Sequence, residues 1–297
     1  MKNNKSDRRC LYLASAVVCI LLFAVCLFLL LNPATEEKLS VVGFDTSKDF
    51  VKFMDVGQGD SALIYSNGYS AVIDMGTPNS FADICDDFSN CDIKEIDAVL
   101  VSHLHSDHIG ALSKIAEYYK VKNLIMPEIL YKSLITATDS RKIISGYGSG
   151  CYDAVQGMNF RLGEFEITVL GVFDDRKNEN NRSIIAVAEI DGIKFLFTGD
   201  AEEKEEKYLL GEQLNLDCDV LKVPHHGSST SSSKEFLNAV TPEYAVISVG
   251  ENNVYGHPHK ETLQALTEAN AKVYRTDQSG DITFNVNDGK ITVETEK

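Results

Sequence analysis

The chain has 297 residues, with 28 Lys and Arg against 44 Asp and Glu and a formal net charge of −16. Four basic residues and one acidic residue precede position 32, so the remainder carries 24 basic against 43 acidic side chains. A protein that holds long nucleic acid needs a basic footprint, and this composition excludes one that covers the surface. The length beyond the first segment suits one α/β domain.

The first predicted element is an apolar segment from Cys10 to Leu31, which contains no charged residue. A helix rises about 1.5 Å per residue and a hydrocarbon core is about 30 Å thick, so the segment is predicted to be a transmembrane anchor. Basic residues precede it, which places residues 1–9 in the cytoplasm and the rest of the chain outside. A cleaved signal peptide is the alternative, but its apolar core is usually only about 7 to 15 residues long.

Residues 32–48 are polar and are predicted to form a linker, and residues 49–297 are predicted to form a single domain. Its early strands come as hairpins, whereas later strands alternate with helices. These helices are predicted near residues 80–88, 109–119, 202–210, 233–240 and 260–269. This order favours two sheets packed face to face with helices outside, a four-layer αββα sandwich.

Four cysteines lie in the predicted domain, at positions 85, 91, 151 and 218, without the paired Cys-x-x-Cys spacing of a metal or redox motif. In an oxidising exterior, Cys85 and Cys91 are close enough in sequence to form a bridge. Free, partly buried thiols are an equal alternative. Four scattered cysteines in a domain of this size do not make a disulfide scaffold.

All seven histidines fall in three short clusters, at positions 103, 105 and 108, at 225 and 226, and at 257 and 259. The first cluster follows an apolar predicted strand and precedes a helical pattern, so it lies on a strand-to-helix turn, where sites are commonly built. His103 and His105 alternate with Leu104 and can point the same way, while Asp107 and His108 leave the turn toward a second position. Imidazole and carboxylate together suit zinc, manganese or iron, and two metals could share the cluster.

The run His103–His108 resembles the His-x-His-x-Asp-His signature of the metallo-β-lactamase superfamily. Further motifs are similar to those of the hydrolase domain of the ComEC competence proteins, and they follow in the family's order along nearly the whole domain. These motifs are Phe53–Ser61, Ile73–Gly76, Phe197–Asp200 and Lys222–Ser228. ComEC proteins join that domain to a multi-helix channel that this chain lacks, so a role in DNA uptake does not follow directly.

The resemblance implies a pair of divalent ions, zinc or manganese, and a set of protein ligands. It implies His103 and His105 on one metal, Asp107 and His108 on the other, Asp200 as the bridge, and His225 completing the second metal. Asp74 resembles the family's carboxylate that orients a ligand imidazole; a plain turn residue is its alternative.

One departure from the broader superfamily concerns the first metal. Many members supply another histidine before the bridging aspartate, but residues 109–199 contain none. The expected counterpart is the segment from Asn180 to Ser183, as in the ComEC-like group, and an ordinary strand-entry turn is the alternative. The first metal would then have fewer protein ligands, which suits manganese or a zinc ion with extra water.

Residues near the last two histidine clusters are expected to contact the substrate. His226 is assigned to the leaving group and Ser228 to phosphate oxygens, although a serine of this stretch could instead cap the helix that begins near Lys234. His257 is assigned a substrate-contact or acid role, with helix entry as its alternative, and His259 lies at the same connection.

These assignments predict a membrane-anchored, extracytoplasmic hydrolase that uses a water activated by two metals, with Asp107 and Asp200 in the catalytic centre. Two divalent ions less two carboxylates and one hydroxide leave a positive centre, which favours an anionic phosphodiester over a neutral ester. The expected substrate is a small or local phosphoester, either on the cell surface or in single-stranded DNA. The alternatives are a lactone or other neutral-ester hydrolase and an accessory metal-binding domain in DNA uptake.

Overall fold

The computed structural model describes residues 49–128 and 135–297, which contain seventeen strands. The strands are β1 (Asp49–Phe53), β2 (Ala62–Ser66), β3 (Tyr69–Ile73), β4 (Glu95–Ile96), β5 (Ala98–Leu100), β6 (Lys120–Val121), β7 (Asn123–Met126), β8 (Gly150–Asp153), β9 (Asn159–Leu162), β10 (Phe165–Val172), β11 (Ile184–Ile190), β12 (Ile193–Phe197), β13 (Val220–Lys222), β14 (Tyr244–Ile247), β15 (Lys272–Arg275), β16 (Ile282–Asn287) and β17 (Lys290–Thr295).

Seven α-helices accompany these strands within the same described residues. They are α1 (Phe81–Asn90), α2 (Leu112–Tyr118), α3 (Ile135–Gly146), α4 (Glu203–Gly211), α5 (Lys234–Val240), α6 (Lys260–Glu268) and the single turn α7 (Thr276–Ser279). Two short 3₁₀ segments, Asn180–Arg182 and Pro224–Gly227, lie beside the candidate site.

The strands form two large sheets and one short pair. The eight-stranded sheet has the order β17-β16-β1-β2-β3-β5-β7-β8, and the seven-stranded sheet has the order β15-β14-β13-β12-β11-β10-β9. Strands β4 and β6 form the pair. Each large sheet is mixed: hairpins make up its antiparallel part, and crossovers through helices make up its parallel part.

Three apolar cores hold the layers together. The central core lies between the sheets, where Phe53 and Phe195 are both buried against Phe284. Strand β10 contributes to this core with every second residue, since its buried residues alternate with more exposed ones. A second core packs α1, α2 and α3 on the eight-stranded sheet, and a third packs α4, α5 and α6 on the other. The structure thus confirms the mixed α/β architecture that was predicted for the four-layer sandwich.

The structure adds elements that the sequence pattern did not predict. Helix α3 was missed because its sequence mixes threonine, serine and isoleucine with little apolar periodicity. Strand β9 was missed because it is a short edge strand that buries only Leu162 fully. Cys85 and Cys91 are free thiols, as are Cys151 and Cys218.

The predicted anchor at residues 10–31 and linker at 32–48 lie outside the described residues. Within 49–128 and 135–297, none of the helices combines the length and the apolar character that a membrane crossing requires.

The carboxyl ends of parallel strands gather at one edge of the sandwich. Strands β3 and β5 run parallel in one sheet, and β12, β13 and β14 run parallel in the other. The segments that leave these strands therefore meet across the two sheets. They carry the residues of the candidate site.

A buried acid on helix α4 gives a stability prediction. Glu205 is fully buried, and neither of its carboxylate oxygens has a hydrogen-bond partner among the described residues. Burial raises the pKa of Glu205 well above its usual value of 4.5, and the carboxylates of Glu206 and Asp175 add to the rise. The folded protein therefore keeps this proton to higher pH than the unfolded chain does.

We expect Glu205→Gln to stabilise the protein at pH 8 and to change little at pH 4. The stability that the neutral acid provides is fully present below the unfolded pKa and is lost as the pH rises through the folded one. A neutral amide avoids that loss, so Tm should rise by about 2 to 8 °C at pH 8. Thermal melts followed by circular dichroism test this, with the exposed Glu203→Gln as control. An equal shift at both pH values would contradict it.

Candidate metal centre

The first histidine cluster lies on the turn between β5 and α2, as predicted. His103 and His108 are fully buried, while His105 is exposed at the surface. The Nε2 atom of His103 lies 3.0 Å from the Nδ1 atom of His105, so these two imidazoles present ligand atoms side by side. The turn thus directs its histidines to a common point.

Asp200 leaves the end of β12 and is fixed by its neighbours. Its backbone N–H donates to the Oγ atom of Ser183 over 2.9 Å. The preceding Gly199 has φ +49, and a Cβ there would lie 2.7 Å from Ser183 Oγ and 2.8 Å from Ser102 Cβ. Only glycine fits between Ser102 and Ser183 at this position, and the close packing holds the Asp200 carboxylate in the centre of the site.

The two oxygens of Asp200 face different histidines. Its Oδ1 lies 3.2 Å from His108 Nε2 and 3.6 Å from His226 Nε2. Its Oδ2 lies 3.8 Å from His103 Nε2 and 3.8 Å from His225 Nε2. One carboxylate therefore joins two sets of imidazoles.

Two clusters of ligand atoms share this carboxylate, and each could hold a metal ion. The first, which we call group 1, is His103, His105 and Asp200; the second, group 2, is Asp107, His108, Asp200 and His226. Within each group the ligand atoms lie within 4.8 Å of one another. Nitrogen and carboxylate donors in this mixture suit zinc or another first-row divalent ion.

Three buried atoms of group 2 that make no hydrogen bond within the described ranges fit a bound cation. The Nε2 atoms of His108 and His226 and the Oδ1 atom of Asp200 are buried and make no hydrogen bond to any described residue. Buried polar atoms are nearly always paired, so three unpaired atoms that face one point indicate a ligand there. A divalent ion satisfies all three.

A further cluster of Asp60, Asp74 and His108 has the spacing of a metal site, but the ammonium group of a lysine already supplies the positive charge there. The Nζ atom of Lys222 lies 2.6 Å from Asp60 Oδ2, and both side chains are buried. Asp74 is occupied as well: it accepts a hydrogen bond from Ser102 N over 2.6 Å and faces His108 Nδ1 at 2.9 Å. This cluster supports the metal groups instead of adding a third.

The contact of Asp74 with His108 is the arrangement expected from the resemblance. A carboxylate on one ring nitrogen fixes the ring orientation and leaves the other nitrogen for a metal. The carbonyl oxygen of Ser248 plays the same part for His226, because it lies 2.9 Å from His226 Nδ1. The Oδ1 atom of Asp60 lies 3.4 Å from the same nitrogen and adds a negative charge beside it.

The structure places His226, and not the expected His225, in group 2. Both residues have φ +51, in the left-handed region, inside the 3₁₀ segment that follows β13. Strand alternation therefore stops before the two histidines and does not indicate which one points inward. The turn buries His226 beside Asp107 and leaves His225 20% exposed at the rim.

His225 belongs instead to a polar cluster beside group 1. Its Nε2 atom lies 3.4 Å from Asn180 Nδ2, and its Nδ1 atom lies 3.2 Å from the hydroxyl of Thr230. Asn180 also donates to Glu202 over 3.2 Å. Asn180 and Ser183 thus both lie at the site, Asn180 at its open side and Ser183 beneath Asp200.

The serine stretch after the histidine pair has structural contacts. The hydroxyl of Ser228 accepts from Thr230 N, and Ser228 does not line the site cavity. Ser233 accepts from Phe236 N and caps α5, which matches the structural alternative. His259 precedes α6, and its Nδ1 accepts from Ser229 N over 2.9 Å.

The charges of the site depend on its buried ion pairs. Burial opposes ionisation of Asp200, but the positive charges of His108 and His226 hold its pKa well below the usual range. Burial likewise opposes the charge on His226, yet Asp200 and Asp60 raise its pKa to about 10. Without a metal, the imidazolium groups thus neutralise the carboxylates, and a metal ion must displace those protons.

The site opens into a cavity of about 330 Å³. Its floor carries group 1 and group 2 residues, and its outer wall carries Gln58, Ser106, Tyr255 and His257. Burial and the cationic His226 lower the pKa of His257 to about 4, so its ring is neutral at neutral pH. His257 lines the cavity, and its substrate contact stays a prediction.

Sequence reasoning missed Asp60, Lys222, Glu202 and Tyr255 as residues of the site. Two of them had a visible signal: Asp60 follows Gly-Gln-Gly between two buried strands, and Lys222 ends an apolar strand just before the histidine pair. A charged residue at such a position needs a buried partner. Tyr255 lies two residues before His257 of the third histidine cluster, whereas Glu202 had no comparable signal because it lies in a polar loop.

Comparisons with known proteins agree with this geometry. The model of the metallo-beta-lactamase superfamily matches residues 54–251. ComE operon protein 3 of Bacillus subtilis (strain 168) is 30% identical over 262 residues, which cover 80% of this chain and 33% of that protein. Competence protein ComA of Neisseria gonorrhoeae is 31% identical over 252 residues, which cover 82% of this chain and 33% of that protein.

A solved structure has the same fold. The metallo-beta-lactamase fold protein YhfI from Bacillus subtilis superimposes with a TM-score of 0.56 at 14% identity and covers 80% of this chain and 100% of its own. The chain spans about a third of the length of the curated competence proteins that it matches. It belongs to the metallo-β-lactamase superfamily, in the ComEC-like subgroup.

Proposed function

We propose that the chain is an extracytoplasmic phosphodiesterase of the nuclease type that uses two divalent ions and is held at the membrane by residues 10–31. The observation that carries this proposal is the position of Asp200. Its two oxygens face separate clusters of imidazoles, with Asp107 on the side of group 2. A carboxylate shared in this way is the arrangement that a dinuclear hydrolytic site requires.

The residues of the chain have distinct parts in this proposal. His103 and His105 would hold one ion, while Asp107, His108 and His226 would hold the other, and Asp200 would bridge them. Two such ions make hydroxide available near neutral pH by lowering the pKa of water.

The surrounding residues position these ligands. Asp74 and the carbonyl oxygen of Ser248 fix the rings of His108 and His226, and Lys222 balances the charge of Asp60. His257, neutral and at the cavity wall, would contact the substrate.

The charge of the centre favours an anionic substrate. Two divalent cations, offset by Asp107, Asp200 and one hydroxide, leave a net positive charge that attracts a phosphodiester. The whole chain is strongly acidic, with a net charge of −16. This opposes long-range tracking along a nucleic acid and supports a short or single-stranded substrate.

The apolar segment at 10–31 supports a location at the membrane, because it favours an anchored protein. One relative is named a competence protein. We therefore propose that the domain lies outside the cytoplasm and acts on a phosphodiester there, with single-stranded DNA as one such substrate.

Substrate profiling of the full chain in detergent tests the proposal. The chain is loaded with manganese or zinc and offered methyl p-nitrophenyl phosphate, short single-stranded DNA, a phosphorylcholine ester, a lactone and a chromogenic cephalosporin. We expect hydrolysis of phosphodiesters alone. Turnover of the lactone alone would contradict the charge argument, and no turnover with either metal would favour an accessory metal-binding domain.

A further inference from the structure

The outer wall of the cavity carries a series of nearly parallel aromatic rings. The rings of His226 and His257 have centroids 6.4 Å apart at an interplanar angle of 24°, and those of His257 and Tyr255 are 5.6 Å apart at 24°. The series therefore leads from group 2 at the cavity floor to the surface. Tyr255 is its last member, and its side chain is 62% exposed.

The exposed ring of Tyr255 is held by a loop with its own hydrogen bonds. The side chain of Asn253 donates to the carbonyl oxygens of Gly250 and His257 over 3.0 Å and 2.7 Å, and it accepts from His257 N over 3.0 Å. Gly250 N in turn donates to Gln58 Oε1 over 3.1 Å. A large apolar ring on a loop fixed in this way is preorganised for contact with a ligand.

Two polar atoms at the same wall lack partners. Gln58 Nε2 and His257 Nδ1 are both inaccessible to solvent and make no hydrogen bond to any residue in the described ranges. Both residues line the cavity. Gln58 Nε2 is a donor, and a turn of this side chain toward the cavity would bring it to an acceptor such as a base carbonyl or a phosphate oxygen.

We propose that Tyr255 stacks on the nucleobase next to the scissile phosphate and that Gln58 and His257 supply the polar contacts of this subsite. The substrate class is then a nucleoside phosphodiester, either a short single-stranded nucleic acid or a dinucleotide. This inference rests on the proposed phosphodiesterase function and names its substrate. Every base has a π-face, so such a platform accepts bases without reading their sequence.

The wall chemistry favours a flat base over a quaternary ammonium group. A cation of that kind is bound in a cage of several aromatic faces, which concentrates negative potential around it. Among the described residues that line the cavity, Tyr255 has the one phenol ring, and the other aromatic rings are imidazoles of His105, His225, His226 and His257. The carboxylates that line the cavity are Asp107 and Asp200, and both belong to the metal groups.

Calorimetric binding tests the subsite without turnover. The full chain, with and without manganese, is titrated with thymidine 5′-monophosphate, methyl phosphate and phosphorylcholine. For the wild-type chain and for Tyr255→Phe, we expect thymidine 5′-monophosphate to bind about tenfold or more tightly than methyl phosphate. In Tyr255→Ala this ratio should fall to near one. The matched control Tyr147→Ala, which removes another exposed tyrosine at 57% exposure, should keep it.

Kinetics on a matched substrate pair provide the second readout. Thymidine 5′-(p-nitrophenyl phosphate) and methyl p-nitrophenyl phosphate share a leaving group and differ in the nucleoside alone. We expect Tyr255→Ala to reduce the preference for the nucleoside ester about tenfold, mainly through KM.

The outcomes separate this inference from the function on which it rests. A Tyr255-dependent binding ratio without hydrolysis of either ester would contradict the phosphodiesterase function and leave the nucleobase subsite standing. An unchanged ratio in Tyr255→Ala would overturn the subsite. Tighter binding of phosphorylcholine than of thymidine 5′-monophosphate, lost in Tyr255→Ala, would overturn it in favour of a quaternary ammonium ligand.

Discussion

Replacement of Asp200 by alanine is expected to abolish hydrolysis of methyl p-nitrophenyl phosphate and to remove both metal ions together. The two oxygens of Asp200 face both groups of imidazoles, so its loss weakens two sites at once. We expect kcat/KM to fall by at least about a thousandfold. Metal content after desalting, measured by plasma mass spectrometry, should fall from about two ions per chain toward none.

A carboxylate elsewhere on the same sheet provides the control for Asp200. Asp191 lies exposed in the turn between β11 and β12 with φ +51, which asparagine also adopts. Asp191→Asn should retain metal and activity. If Asp200→Ala kept one tightly bound ion and substantial activity, Asp200 would not be the bridge.

The second large effect separates the adjacent histidines 225 and 226. His226→Ala removes a buried member of group 2, so we expect loss of one metal equivalent and a fall in kcat/KM of at least about a hundredfold. His225→Ala removes a rim residue outside both groups, and we expect a fall of less than about tenfold with both ions retained.

These two variants are matched controls for each other, because they change the same residue type in the same turn. Metal content and steady-state kinetics on the two proteins, prepared side by side, decide the assignment. Loss of a metal in His225→Ala, with His226→Ala retaining both, would restore the assignment made from the sequence and contradict the geometry.

Most of the fold could be predicted because its signals are local. Strands such as β12 contain a buried apolar run, here residues 195–197, and helices such as α6 carry a regular apolar face. Elements with weak patterns could not be found in the same way. Helix α3 lacks a strong apolar face, and β9 is a short strand whose pairing with β10 depends on the rest of the sheet.

The candidate site was predictable where strand ends determine it. His103 and Asp200 each lie three residues after an apolar strand, His108 lies on the turn after the same strand as His103, and the structure brings the three together. The choice between His225 and His226 was not predictable. Both residues have a left-handed backbone conformation, so the alternating side-chain directions of the preceding strand do not continue through them. Partners such as Asp60 depend on contacts between segments far apart in sequence, including its ion pair with Lys222.

A crystal structure of the full chain soaked with manganese, with data collected for anomalous scattering, tests the central claim most directly. The account predicts two anomalous peaks about 3.5 to 4 Å apart. One should lie on His103 and His105, the other on Asp107, His108 and His226, with Asp200 between them. A single peak, or a second ion bound by His225 in place of His226, would contradict it.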